Sequence, residues 1–496
     1  MTRHPPLELR RTAASVDAEA LFRTLAAGYE DVFWLDAGAE AAQGWSVLGV
    51  GERDARGPGE VRLDCVAGAA SDEPPFRGGW VGWLDYESGA FAAGAPAAHS
   101  EGGPAWLRVT AAVAVDHATG AVWELGDSLV DPLGSLSERS APLGSLSERS
   151  APRGSLSERS APVGSLSERS APVGSLSERS APLGSLSERS APLGSLSERS
   201  ETKRVERAQR VEALPDRTAS ARHTPDEYTA LIQRCRAAIR AGDAYQLCLT
   251  TRFLVDGPHD DVETYLRLRS ATPAHHGGFV RIGGRALLSA SPETFLHASG
   301  GLIRTRPIKG TRPRGDDPAS DAALAAELLA SDKERAENVM IVDLMRNDLS
   351  RVCVPGSIRV DGLWEIESYP AVHQLVSTVS GQAASGLTAR RLWDAAFPAG
   401  SMTGAPKLSA MTLLHELEGA PRGVYSGCFG YVGVDGALDL AMVIRSILID
   451  GEHAVIGAGG GITWGSVAAA EVEEVATKAR APLAALRADL PDAWRR

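Results

Sequence analysis

Hydrophobic and polar positions alternate with two different periods along most of this chain, and each change of period marks an element. Ala18 to Tyr29 carries apolar residues at helical spacing, whereas V-F-W-L-D at 32–36 and Trp106 to Asp116 follow strand patterns. The segment F-R-G-G-W-V-G-W-L-D-Y-E-S-G (76–89) joins a glycine turn to an aromatic strand whose rings belong in a core. Pro225 and Asp226 open a helix, E-Y-T-A-L-I-Q-R-C-R-A-A-I-R, which Gly242 should end. The strand A-Y-Q-L-C-L-T-T-R-F follows, then strands at 278–282 and 286–289. A helix reading D-K-E-R-A-E-N-V-M-I-V-D-L-M-R-N-D starts at Asp332. The last third alternates helices at 389–396 and 407–417 with strands at 429–434, 438–449 and 454–457, and a closing helix begins near Val467.

The alternation fails from Asp131 to Ser200, where the decamer A-P-x-G-S-L-S-E-R-S recurs seven times with Asp131 in place of the first Ala. One Leu per unit cannot fill a core, Pro and Gly interrupt every register, and the period is far below the roughly 20 to 50 residues of repeat folds. The expected organisation is an N-terminal region over 1–130, a disordered insertion over 131–200, a linker with a charged helical stretch over 201–223 and a catalytic region over 224–490. The 496 residues are 43% hydrophobic, enough for large cores. A net charge of −12 offers no basic stripe, which argues against a nucleic-acid partner. No apolar run approaches the roughly 18 residues of a membrane helix, and the first residues lack a signal-peptide core, so a cytoplasmic protein without membrane attachment is expected. Five scattered cysteines without a C-x-x-C pair fit reduced thiols.

Candidate chemistry concentrates in the catalytic region. In I-R-T-R-P-I-K-G-T (303–311), Lys309 stands between Pro307 and Gly310, with Arg304 and Arg306 nearby. Guanidinium neighbours or partial burial would favour the neutral, nucleophilic amine; a surface lysine on a Pro-Gly turn is the plain alternative. Glu334 and Glu337 lie on one face of a helix, and Glu471 and Glu474 repeat the spacing on the closing helix. Two such faces without His or Cys make an all-oxygen set suited to Mg²⁺, although Glu474 also forms a favourable surface pair with Lys478. G-A-G-G-G-I (457–462) brings bare backbone near an anionic ligand but lacks the third glycine of a dinucleotide fingerprint, and G-S-M-T-G-A-P-K (400–407) fails the P-loop pattern at Ala405. Arg445, in the apolar run A-M-V-I-R-S-I-L-I, is either a structural ion pair or a carboxylate clamp. His373 is either a satisfied core histidine or an acid or base.

In order along the chain, A-G-D-A-Y-Q-L, S-P-E-T-F, T-R-P-I-K-G-T, the 332–348 helix, P-A-V-H-Q-L-V-S-T, P-A-G-S-M-T-G-A-P-K and G-A-G-G-G-I closely resemble the chorismate-utilising enzymes. The resemblance is strongest from Thr224 to Ala484 and weaker from Leu21 to Glu124. It implies an α+β fold of two large antiparallel sheets packed face to face, with helices outside. It implies that Glu337 and Glu474 hold Mg²⁺ with Glu334 and Glu471 in support. It further implies that Gly310, Thr311, Tyr425, Arg445, Lys478 and the backbone of Gly459, Gly460 and Gly461 contact chorismate, with His373 beside the ring. Lys309 implies amination at C4 of chorismate through covalent attack at C2, and Glu293 matches the family's general acid and base. A lysine here sets such enzymes apart from those that form anthranilate; an anthranilate- or isochorismate-forming relative, or a silent paralogue, is the alternative. Ammonia would come from a separate class I glutamine amidotransferase, because no G-x-C-x-G nucleophile is present: Cys428 has Ser426 where the first Gly belongs. Gly465 and Val475 depart from the family pattern beside the metal helix, and Ala37 with His275 to Gly277 replace a tryptophan-binding pattern, so feedback by tryptophan is not expected.

Overall fold

The computed structural model describes residues 5–13, 15–39, 41–65, 72–98, 102–129, 217–369 and 372–495; the decamer repeats and the charged stretch after them lie outside the described residues. The N-terminal region runs β1 (Leu9–Thr12), α1 (Ala18–Gly28), β2 (Val32–Asp36), β3 (Trp45–Arg53), β4 (Gly79–Leu84), α2 (Tyr86–Ala92), β5 (Ala105–Asp116) and β6 (Val122–Gly126). After 217 come β7 (Arg217–Thr218), β8 (Ser220–Ala221), α3 (Pro225–Ala241), β9 (Gln246–Asp256), α4 (Asp261–Ala271), β10 (His276–Ile282), β11 (Arg285–Ser291), β12 (Thr294–Ser299), β13 (Leu302–Thr305) and β14 (Ile308–Pro313). The carboxylate-bearing half continues with α5 (Pro318–Ala330), α6 (Asp332–Ser350), β15 (Arg359–Ser368), β16 (Val372–Gln382) and α7 (Ala389–Ala396). It closes with β17 (Gly404–Ala405), α8 (Lys407–Glu418), β18 (Cys428–Gly433), β19 (Leu438–Met442), β20 (Ser446–Asp450), β21 (His453–Ile462), α9 (Ala468–Ala485) and β22 (Ala488–Asp489).

Local chemistry places these elements as the periodicity requires. Thr224 and Glu227 close a capping box at the start of α3, Pro225 occupies its first turn, and Gly242 ends it at φ 88°. All six residues of the aromatic strand β4 are buried.

The long strand β5 explains the topology. One of its edges pairs with β3 throughout, while the other pairs first with β4 (through Ala105–Arg108) and then with β6 (through Ala111–Val115). From β5 one antiparallel layer runs through β3, β2, β10, β11, β20 and β21 to β9. A second runs through β4, β18, β19, β12 and β13 to β16, whose far edge carries β15. The layers face each other: a Cβ on Gly278 of β10 would meet the Phe429 ring of β18 at 2.6 Å, and Phe33, Val280 and Leu287 share a core with Trp83, Phe429 and Tyr431. Helices α3, α4 and α9 cover the outer face of the first layer, and α6 and α7 cover the second. The expected pair of facing sheets is therefore present, joined through β5 into one hydrogen-bonded network of twenty strands.

Three sequence expectations change. The single strand expected over 438–449 breaks at Arg445, whose φ of 52° turns the chain from the second layer (β19) into the first (β20). The glycine run lies inside β21 rather than after it, paired with β9 from His453 to Ile462. Lys309 occupies a strand, not a surface turn: between Ile308 and Thr311 the register of β14 against β16 slips by one residue, a bulge that re-aims the side chain.

Candidate active site

At the bulge, Gly310 has φ +82°, and a Cβ there would lie 2.7 Å from Leu328 and 3.0 Å from Glu334, so its lack of a side chain lets the carboxylate helix α6 come close. The helix is pinned by Asn338, fully buried, whose Nδ2 donates to Pro307 O at 3.3 Å while its Oδ1 accepts from Ser377 Oγ at 2.6 Å. Two residues beyond Pro307, Lys309 Nζ lies 3.9 Å from Glu337 Oε2. Of the two arginines near this amine in sequence, Arg306 pairs with Glu367 and Arg304 is exposed.

Both carboxylate pairs act on Lys333, which lies 3.8 Å from Glu337. Against the downward push of burial, Glu337, Glu471, Glu334 and Glu474 together hold the Lys333 ammonium above its usual range. Burial raises Glu337, whose Oε1 has no hydrogen-bond partner among the described residues, and burial raises Glu471 despite the Ser466 hydroxyl at 2.8 Å. Burial also pushes Glu474 up, but Lys478 at 2.7 Å draws it below the ordinary range, and Lys478 Nζ donates as well to Gly459 O at 2.8 Å. Four carboxylates with one orphaned oxygen fit a hard divalent cation in donor chemistry. Among the described residues no three acidic, His or Cys side chains form a ready-made ion site. Val475, one of the two departures from the family pattern, is fully buried in the core, and a Cβ on Gly465 would meet nothing within 4 Å.

Glu293 joins from the β11–β12 connection. It is buried and accepts from Ser401 Oγ at 2.9 Å; burial raises its pKa, and Lys309 and Lys478 pull the other way, which places both ammonium groups within its field. The glycines of β21 each admit a neighbour. A Cβ on Gly457 would clash with the Tyr425 ring at 2.0 Å, one on Gly460 would lie 2.9 Å from Glu471, and one on Gly461 would lie 2.9 Å from Gln246 Nε2 and 3.4 Å from Lys309 Nζ. Gln246 was not singled out by sequence, although a polar amide in an apolar strand is the signal; its Nε2 and Oε1 are buried without partners among the described residues.

Arg445 makes no ion pair among the described residues; burial lowers its pKa, opposed by Tyr425 and Glu474. A half-buried guanidinium with no ion-pair partner among the described residues favours the clamp reading over the structural pair. Thr311 is exposed on β14 opposite Gln374. His373 stands apart from the carboxylate cluster in its bonding: Nδ1 meets Ser368 Oγ and Nε2 meets Asp321 Oδ1, each at 2.8 Å, so both ring nitrogens are engaged as a core histidine's would be.

Behind the site lie two buried ion pairs. Lys407 Nζ donates to Asp348 Oδ2 at 2.7 Å and to Ala396 O at 3.0 Å, tying α6 to the ends of α7 and α8. Arg422 donates to both oxygens of Glu418, to Met402 O and to Cys248 O, while Glu87 accepts the backbone N–H groups of Arg422 and Gly423.

An amine, a buried carboxyl group, a carboxylate pair on each of two helices and a half-buried guanidinium are thus the candidate site residues, and comparison with known proteins gives the family. A family model for the chorismate binding enzyme matches residues 19–484, and the chain belongs to that family. Among relatives, it is 48% identical over 275 residues to the aminodeoxychorismate synthase of Streptomyces pristinaespiralis, covering 55% of this chain and 38% of that protein. It is 43% identical over 252 residues to aminodeoxychorismate synthase component 1 of Salmonella typhimurium (51% and 56%), and 44% identical over 265 residues to anthranilate synthase component 1 of Streptomyces coelicolor (53% and 52%). The matched segments span little more than half of these relatives at most. Among solved structures, anthranilate synthase component I from Streptococcus pneumoniae superposes with a TM-score of 0.60 at 25% identity, covering 91% of this chain and 90% of that one. The menaquinone-specific isochorismate synthase MenF of Escherichia coli shares the fold at 15% identity, with a TM-score of 0.60 and coverage of 98% and 96%.

Proposed function

We propose that this chain aminates chorismate at C4, giving 4-amino-4-deoxychorismate for p-aminobenzoate and folate synthesis, in the cytoplasm and with ammonia released by a separate class I glutamine amidotransferase. The observation that carries this reading is the position of Lys309: a bulge directs the amine to Glu337 and Gly461, within the field of Glu293. Neutral Lys309 attacks C2, both ring double bonds shift by one position around the ring, from C1=C2 to C1=C6 and from C5=C6 to C4=C5, and the C4 hydroxyl leaves as water with the proton of Glu293. Ammonia then adds at C4 and gives a proton back to the Glu293 carboxylate, both double bonds shift back, and the lysine leaves C2 as the neutral amine. Glu337 and Glu474, supported by Glu334 and Glu471, would hold Mg²⁺, which supplies charge neutralisation at a substrate carboxylate. Arg445 clamps the other carboxylate, the backbone of Gly459–Gly461 approaches the substrate without side-chain obstruction, and Tyr425 and Gly310 shape the walls. His373 acts by shaping the ring side rather than by moving protons, given its two engaged nitrogens.

Incubation of the protein with chorismate, Mg²⁺ and an ammonium salt, followed by chromatography of the product, tests this function. Aminodeoxychorismate is expected; fluorescent anthranilate, isochorismate or unreacted chorismate would each replace the proposal.

Ser401 gives a pH prediction. Its donated hydrogen bond stabilises the Glu293 carboxylate, so Ser401→Ala raises the pKa of Glu293 further. The acid form then survives to higher pH, and the alkaline limb of kcat/KM moves upward by up to about one pH unit. A limb that stays or moves down removes Glu293 as the acid.

Tryptophan is expected to leave the rate unchanged. Asp36, beside Ala37 and paired in register with Gly277, is already engaged by Arg269, by Tyr265 Oη at 3.1 Å and by Ser46 Oγ at 3.3 Å. Half-inhibition of initial rates at micromolar tryptophan would contradict this.

A further inference from the structure

A cavity of ≈ 590 Å³ opens on the face formed by the 53–59 loop, α2 and α7, and none of the residues of the carboxylate site lines it. Its volume is that of a small-molecule site. One wall is the pair Trp106 and Trp393, stacked at 5.8 Å with 11° between the ring planes; Phe397 continues the wall, and Phe91, 79% exposed, stands at the rim.

Two further features single the cavity out. Trp393 is only 7% exposed, and its Nε1 donor has no acceptor among the described residues. Buried donors are nearly always paired, so an acceptor is wanted beside this ring. The rim is also cationic, with Arg53, Arg56, Arg285 and Arg390. Arg53 is taken by Glu30 and Asp31, and Arg285 lies over Trp83 and donates to Gly102 O. Arg56 makes no side-chain hydrogen bond among the described residues, and Arg390 uses only its Nε, on Asp394. Arg390 N also donates to Gly59 O, which holds the arginine-bearing loop and helix together. The rim carboxylates are occupied: Asp54 accepts from Trp80 Nε1 and Arg56 N, and Asp394 accepts from Arg390.

We propose that this cavity is a second binding site, for a small aromatic carboxylate. The indole and phenyl faces take a flat apolar body, and Arg56 and Arg390 take the carboxylate in the forked geometry a guanidinium offers. The Trp393 N–H donates to a polar atom of the occupant. Inorganic phosphate would satisfy the arginines but leave the aromatic wall bare, and a saturated ring would lose the face contacts. The site is independent of the reading given to Lys309 and the carboxylate helices, so either stands if the other fails.

Calorimetric titration of the full chain with benzoate, cyclohexanecarboxylate and inorganic phosphate tests the proposal, with Trp393→Phe, Arg56→Ala/Arg390→Ala and Arg445→Met as variants. Benzoate is expected to saturate one site more tightly than the other two probes. Trp393→Phe keeps the ring but loses the donor, and should weaken binding about fivefold, the equivalent of one hydrogen bond near 1 kcal/mol. The double arginine variant, altered on an exposed loop and an exposed helix face that do not threaten the fold, should weaken it at least about tenfold. Arg445→Met should leave benzoate binding as it was. The proposal is overturned if benzoate does not saturate, if phosphate or cyclohexanecarboxylate binds as well, if the arginine pair makes no difference, or if binding disappears only in Arg445→Met.

Discussion

On the proposed mechanism, replacing Lys309 by Ala is expected to lower aminodeoxychorismate formation by about a thousandfold or more, because the covalent route would be lost and direct displacement of a ring hydroxyl by ammonia would be all that remains. The fold is expected to be retained, since the side chain leaves a bulge toward Glu337 and the change removes no backbone pairing of β14, which circular dichroism of the variant checks. Chorismate affinity, read by equilibrium binding, changes far less than turnover, which separates a nucleophile from a binding residue. Lys309→Arg keeps the charge beside Glu337 but supplies no neutral amine, and is expected to be as inactive as the Ala variant. Turnover within about tenfold of wild type in either variant would show the amine to be dispensable.

The second large effect concerns stability. Arg422→Met strips the buried Glu418 carboxylate of its counter-ion while Thr250 N and Oγ1, each at 2.9 Å, keep it in place. Removing one partner of a buried, hydrogen-bonded ion pair costs about 3–5 kcal/mol. Urea denaturation should report a loss of that size. The double variant Arg422→Met/Glu418→Leu should recover much of it, because no uncompensated charge is left behind. A single-variant loss below about 1 kcal/mol would mean that water or a shifted neighbour compensates the carboxylate.

Local patterns carried a large part of this architecture. The helix Asp332–Ser350 and the shared face of Glu334 and Glu337 follow from spacing alone, as does α3 between its capping box and Gly242. What the pattern could not carry was pairing over distance. Glu87 meets Arg422 across 335 positions, and neither residue stands out locally. The apolar run around Arg445 shows no sign that it changes layers, because a strand buried in either layer has the same composition; only the left-handed φ at Arg445 separates β19 from β20. The strand expected to end at Gly457 runs on through the glycines to Ile462, because close approach by Tyr425, Glu471 and Gln246 makes side-chain-free positions necessary inside β21. The partner of Arg306 was hidden for the same reason, since Glu367 lies on another strand 61 positions away.

The covalent role of Lys309 is the central claim, and rapid-quench peptide mapping by mass spectrometry addresses it directly. Wild-type protein mixed with chorismate and Mg²⁺ without ammonia should yield a peptide containing Lys309 that carries the mass of chorismate less one water, and Lys309→Ala should yield none. Wild-type protein that goes on to form aminodeoxychorismate at full rate when ammonia is added, yet shows no modified peptide at any quench time, would contradict the account.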